Sequence, residues 1–144
     1  MWSPRGKSTS KRLLVIDDEQ AIQELIHLYL SPLEVEVYPA LSGEEGVALY
    51  ARLKKEENTP HLVILNLKLP DMDGVEVARR IMQMDPDAVI YGFTASFHTR
   101  RAEQMKKAGV KEVIPRTVGF PAFREMVKNI LEGRTLNLGL SQDL

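Results

Sequence analysis

The chain has 144 residues, is 44% hydrophobic and 27% charged, and carries a formal net charge of -1 with a pI near 6.3. That length holds one full core, so one domain is expected, and the balanced charge gives no bulk electrostatic reason to bind nucleic acid or an anionic membrane. The lack of cysteine rules out disulfides and thiolate metal sites and fits a cytoplasmic location, while apolar runs no longer than a strand leave neither a membrane span nor a secretion signal to be read.

Met1 to Ser10 is polar around a single Trp2 and reads as a flexible N-terminal arm. Leu13-Leu14-Val15-Ile16 is an all-apolar run, the pattern of a strand covered on both faces, and it ends in Asp17-Asp18-Glu19. Ile22, Leu25, Ile26 and Tyr29 recur at i, i+3, i+4 and i+7, a helical stripe stopped by Ser31-Pro32. Val35 to Val37 reads as a short strand. Ser42 and Glu45 have capping-box spacing ahead of a helix that turns Val47, Tyr50 and Ala51 inward and ends in Lys54-Lys55-Glu56-Glu57-Asn58.

Leu62-Val63-Ile64-Leu65-Asn66 is the next buried strand, and Leu67-Lys68-Leu69-Pro70-Asp71-Met72-Asp73-Gly74 the exposed loop it feeds. Asn66 thus sits at the carboxyl end of a central strand, where open α/β sheets bind ligands, but an amide is uncharged and a poor nucleophile. Asp73 and Glu76 repeat the capping spacing, and Val75, Ala78 and Met82 mark the inner side of a helix ending near Asp85-Pro86. Val89 to Thr94 is a fourth strand. A weakly amphipathic helix from about His98 to Ala108, with Ala102 and Met105 as its apolar contacts, stops at Gly109. Glu112 to Pro115 is a fifth strand, and Phe123, Met126, Val127, Ile130 and Leu131 form the stripe of a last helix with Pro121 in its first turn and Gly133 after its end. Residues 134–144, with Leu136, Leu138 and Leu140 spaced two apart, read as a tail or linker. Alternating strands and helices imply right-handed crossovers and a parallel sheet covered on both faces.

Four segments in this order resemble the receiver domain of response regulators in two-component signalling, over roughly residues 11–133. They are Leu14-Val15-Ile16-Asp17-Asp18-Glu19, Leu65 through Gly74, Phe93-Thr94-Ala95, and Ala108 through Arg116, each at a predicted strand end. The resemblance implies a CheY-like, flavodoxin-like (βα)5 fold with strand order 2-1-3-4-5. By the same resemblance Asp17 and Asp18 would hold Mg²⁺ with the phosphoacceptor and the backbone carbonyl of Lys68. Thr94, the Ala95 amide and Arg116 would contact phosphate.

The departures from that pattern are as informative. The phosphoacceptor position is Asn66, the basic residue is Arg116 where the family has Lys, Thr117 follows it where Pro is usual, and the aromatic switch position is Val113. Phosphoryl transfer needs an oxygen nucleophile, and losing a carboxylate removes one of the acids that attract Mg²⁺. The expectation is a pseudo-receiver with no stable phosphorylation, no required cofactor, weakened Mg²⁺ binding, no active catalytic residue, and an Arg116 able to pair with Asp17 or Asp18. It would act on a signalling protein (a histidine kinase, phosphotransfer or output protein) through the face built by the fourth helix, fifth strand and last helix, and not on nucleic acid or membrane. Two alternatives stay open: an ordinary phosphoaccepting receiver carrying an Asp-to-Asn change, and a small-molecule carrier on the same fold with a deep apolar pocket at the strand ends. The acids that end the first strand speak against a nucleotide carrier, where glycines would be needed.

Other motifs carry less. Asp71-Met72-Asp73-Gly74 lacks the further acids and distal Glu of a calcium loop and reads as a turn with a helix cap, and His27, His61 and His98 have no metal-ligand spacing. Arg100, Arg101, Lys106, Lys107, Lys111 and Arg116 give the fourth helix and fifth strand a basic bias, read as a solvated surface in preference to a binding patch for an acidic partner.

Overall fold

The computed structural model describes residues 10–96 and 100–134. The expectations for Trp2 and the arm, for His98, and for the Leu136, Leu138 and Leu140 tail fall outside these residues. The strands are β1 (Lys11–Ile16), β2 (Val35–Ala40), β3 (Leu62–Leu65), β4 (Ile90–Thr94) and β5 (Glu112–Pro115). The helices are α1 (Gln20–Leu30), α2 (Gly43–Lys55), α3 (Gly74–Met84), α4 (Arg100–Lys107) and α5 (Phe120–Leu131), with a 3-10 turn at Arg116–Val118. All strand pairs are parallel, in the order β2-β1-β3-β4-β5. This is the flavodoxin-like (βα)5 arrangement.

Alternation along the strands builds two cores, because successive side chains point to opposite faces of the sheet. Leu14, Ile16, Val63, Leu65 and Ile90 face α2, α3 and α4, where Tyr50, Val77, Ala78, Ile81 and Met105 meet them. Leu13, Val15, Leu62, Ile64 and Phe93 face α1 and α5, meeting Ile26, Leu30, Phe123, Met126 and Val127. Burial of this apolar surface is the main stabilising term, at about 25 cal/mol per Å² removed from water.

Helix phasing differs from the expected stripes. In α1 the side chain expected inward at Leu25 is 36% exposed, and Gln23 is buried instead. In α2 Ala51 is exposed and Leu53 takes the inner position. Val77, Ala78 and Ile81 form the α3 core contact, with Val75 and Met82 partly buried beside them. The capping geometry also differs in detail. Ser42 accepts a hydrogen bond from the Glu45 amide at 3.1 Å, but the Glu45 carboxylate reaches the Leu41 amide, at 2.8 Å, one residue short of a reciprocal box. Asp73 caps α3 through the Val75 amide, while Glu76 turns to Arg79 and Arg80.

A cap that no local pattern announces sits on α2. Both carboxylate oxygens of Asp71, in the β3–α3 loop, accept backbone N–H groups at the start of α2, from Gly43 and Glu44, each at 2.8 Å. These amides, joined by the positive end of the helix, hold the Asp71 carboxyl below the ordinary aspartate pKa. Asp73 adds a second tie, since its other oxygen pairs with Arg101 of α4. His61, for its part, is structural: its Nδ1 accepts the Arg12 amide at 2.9 Å.

Candidate functional site at the carboxyl ends of the strands

The ladder register brings the residues of interest together. Ile16 pairs with Leu65 and the Asn66 amide donates to the Ile16 carbonyl at 3.0 Å, so Asp17 and Asn66 are the next residues out on neighbouring strands. Thr94 pairs with Pro115, which places Arg116 just beyond the end of β4. Strand order does the rest: β1, β3, β4 and β5 end side by side, the location where such sheets form a site.

Asp17 is buried, and both of its oxygens are engaged. One accepts the Glu19 amide at 2.9 Å and the other accepts from Nη2 of Arg116. Burial raises the Asp17 pKa above the ordinary 3.8, opposed by the Glu19 amide and by Arg116, which favour the carboxylate. Asp18, by contrast, is exposed. The backbone at Asp17 is pinned by Gln23, whose buried Nε2 donates to the carbonyls of Val15, Asp17 and Ala40 at 3.0–3.1 Å. Nothing in the sequence pattern singled out Gln23; a polar residue falling on the inner side of an otherwise apolar helix face was the available signal.

Arg116 is held on several sides. Its Nη2 also donates to the Phe93 carbonyl at 3.2 Å, and Nη1 lies 3.6 Å from the Glu19 carboxylate. The guanidinium sits over the Phe93 ring, 5.2 Å from its centroid, and Phe93 is itself stacked on Phe123 at 4.3 Å with Phe120 against its edge at 5.7 Å. Arg116 Nε is buried with no hydrogen-bond partner among the described residues. A buried N–H without a partner is costly, and the other contacts of the guanidinium offset that cost.

Asn66 is 8% exposed, and its Nδ2 donates to the Lys68 carbonyl at 2.9 Å. The backbone beneath it is tightly packed, since a Cβ at Gly74 would lie 2.7 Å from the Asn66 carbonyl oxygen. Thr94 is buried and its hydroxyl accepts the Ser96 amide at 3.1 Å; Ala95 is exposed. Val113 is buried in the core shared with α4, on the sheet face opposite Phe93 and Ile114.

A divalent cation of the Mg²⁺ type needs near-octahedral oxygen donors. Both Asp17 oxygens are spoken for, the Lys68 carbonyl is taken by the Asn66 amide, and residue 66 supplies no charge. Among the described residues no group of three or more His, Cys, Asp or Glu is gathered to hold a metal. The residues as arranged do not fit the ion. Among the described residues, an apolar groove of about 650 Å³ lies between α1 and β2, lined by Leu28, Val37, Pro39 and Leu41, and not among Asp17, Asn66, Thr94 and Arg116.

The family model described as the response regulator receiver domain matches residues 13–134, and the chain belongs to that family. The virulence sensor protein BvgS of Bordetella bronchiseptica is 29% identical over 130 residues, 85% of this chain and 10% of that protein. The chain spans 10–45% of the length of the curated relatives it matches. Among solved structures, a CheY-like response regulator receiver domain protein from Methanospirillum hungatei matches with a TM-score of 0.76 at 26% identity, covering 87% of this chain and 96% of that one. Response regulator protein TrrA from Thermotoga maritima, solved in complex with Mg(2+)-BeF, is 34% identical with a TM-score of 0.68, over 83% of this chain and 98% of that one. Receiver-type signalling is therefore the class of function to which this chain belongs. Among the described residues no helix is long and apolar enough to cross a membrane.

Proposed function

We propose that this receiver domain works without being phosphorylated, as a protein-interaction module of a two-component phosphorelay. The observation that carries the reading is the state of position 66: an amide stands at the end of β3, and it donates its N–H to the Lys68 carbonyl instead of offering a nucleophilic oxygen. Thr94, the Ala95 amide and Arg116 then have no acyl phosphate to bind, and neither Mg²⁺ nor any other cofactor is required. Signal enters through contact with a histidine kinase, a phosphotransfer protein or an output protein. In a phosphoaccepting receiver the acyl phosphate biases two arrangements of the α4–β5–α5 face; here binding of the partner to that face must supply the bias, and neither nucleic acid nor membrane is a target of this domain. With no aromatic at Val113, the equilibrium lacks the rotating side chain that would report on Thr94.

The test is intact mass after incubation with acetyl phosphate and Mg²⁺. No mass change is expected; gain of one phosphoryl group mapped to the strand-end pocket rejects the reading. The retained acids Asp17 and Asp18, with Thr94, favour a second reading, an ordinary phosphoaccepting receiver altered at one position. Asn66→Asp separates the two: rapid autophosphorylation with Arg116 in place supports the second reading, and a persistently inert variant supports the first.

A further inference from the structure

We infer that Arg116 is a built-in counter-ion that occupies the cation position of this pocket, so that Arg116, and not Asn66 alone, makes the domain refuse divalent metal. The claim deepens the reading above, since a pocket without acceptor chemistry has no use for the ion, but it concerns a different residue and a different ligand.

The argument starts from charge. Asp17 is the acid that the fold buries, and a buried carboxylate requires a positive partner. Arg116 supplies it directly through Nη2, and its Nη1 lies 3.6 Å from the Glu19 carboxylate, so one guanidinium serves two of the three acids that end β1. A metal would have to displace that group from the Asp17 oxygen it holds. The guanidinium is packed against the Phe93 ring, which Phe123 and Phe120 hold in place, and bonded to the Phe93 carbonyl at 3.2 Å. Its side chain is 16% exposed, unlike the surface arginines Arg79 and Arg101 at 52% and 51%. Moving it out would leave the buried Asp17 carboxylate with the Glu19 amide and no positive partner, and would take a donor from the Phe93 carbonyl.

A lysine at this position would behave differently. An ammonium is one compact charge on a flexible stem and cannot bridge Asp17, Glu19 and the Phe93 carbonyl at once, whereas a planar guanidinium presents several donors in a fixed fork. A lysine can therefore yield the Asp17 oxygen to a metal while keeping another acceptor. Restoring an acid at position 66 alone leaves the guanidinium in place and adds a carboxylate beside an already neutralised pair.

The experiment is direct Mn²⁺ binding by electron paramagnetic resonance, with the rise in melting temperature on adding Mg²⁺ as a second readout, on the wild type, N66D, R116K and N66D/R116K. The expected result is saturable binding by the double variant at least about tenfold tighter than by N66D, a change of about 1.4 kcal/mol. Equal affinity of N66D and the double variant would overturn the inference, as would saturable binding by the wild type. If R116K fails to unfold cooperatively, Arg116→Gln carries the same comparison with the positive charge removed. Phosphorylation of the wild type would sink the proposed function and leave this comparison standing; metal binding by N66D as tight as by the double variant would do the reverse.

Discussion

Arg116→Met offers the sharpest test of how the strand-end pocket is held. The substitution keeps an unbranched apolar arm over Phe93 and removes the charge. Asp17, whose side chain is 3% exposed, is then left ionised in the interior with the Glu19 amide as its remaining donor. Breaking a buried pair from one side costs about 3–5 kcal/mol. The retained amide and the partly open Arg116 side of the pair put this case near the lower end, about 3 kcal/mol, or a fall in Tm of roughly 10 °C for a domain of this size. The pH dependence follows from the same burial. Because the folded Asp17 pKa is already raised above 3.8, the folded state keeps its proton more readily than the unfolded chain, and stability from this group is present at low pH and lost as pH rises through the folded value. Removing Arg116 raises that value further, so the deficit of the variant should widen from about pH 4 toward pH 7 and shrink in acid. Urea unfolding followed by circular dichroism across this range measures it, and adding Asp17→Asn should recover most of the loss at neutral pH. A deficit under about 1 kcal/mol at pH 7, or one that grows on acidification, would refute the account.

Gln23→Leu should destabilise by about 2 kcal/mol in urea unfolding, because the carbonyls of Val15, Asp17 and Ala40 lose a shared buried donor while the change in volume is small; hydrogen exchange at the Asp17 amide, which donates to the Ala40 carbonyl, should speed up as the end of β1 loosens. Asp71→Ala should cost about 1 kcal/mol at pH 7, the usual value of an N-terminal cap. With the Asp71 pKa lowered in the fold, that contribution is present above about pH 4 and fades below it, so wild type and variant should converge in acid when their melting curves are compared.

The strands were readable because a run of four branched apolar residues bounded by turn signals has few other interpretations, and Leu13–Ile16 and Leu62–Leu65 are of this kind. Helix faces were less so. A stripe such as Ile22, Leu25, Ile26 and Tyr29 can be rotated by one position without losing its apolar count, and the phase was decided by Gln23, whose amide ties together carbonyls near the ends of β1 and β2. Hydropathy cannot register a polar residue buried for that reason. At the pocket, the sequence left Asp17 and Asp18 equivalent as partners for Arg116. Asp17 directly follows the last ladder residue of β1 and its carboxylate is buried, whereas Asp18 is already in the bend and faces solvent. The Asp71 cap was invisible for a plainer reason: it joins positions 28 residues apart through backbone amides, which carry no residue identity to be recognised.

That last contact bears on how the molecule can vary. Asp71 holds the start of one helix and Asp73 the start of the next, so the segment leaving β3 is measured out at both ends like a mortise between two beams. Adding or removing a residue there would unseat α2, whose own sequence would be untouched. A variant library with insertions spread over every loop should therefore show a gap between residues 66 and 73, as it should at Asp17 to Glu19, where the strand-end pocket is pinned.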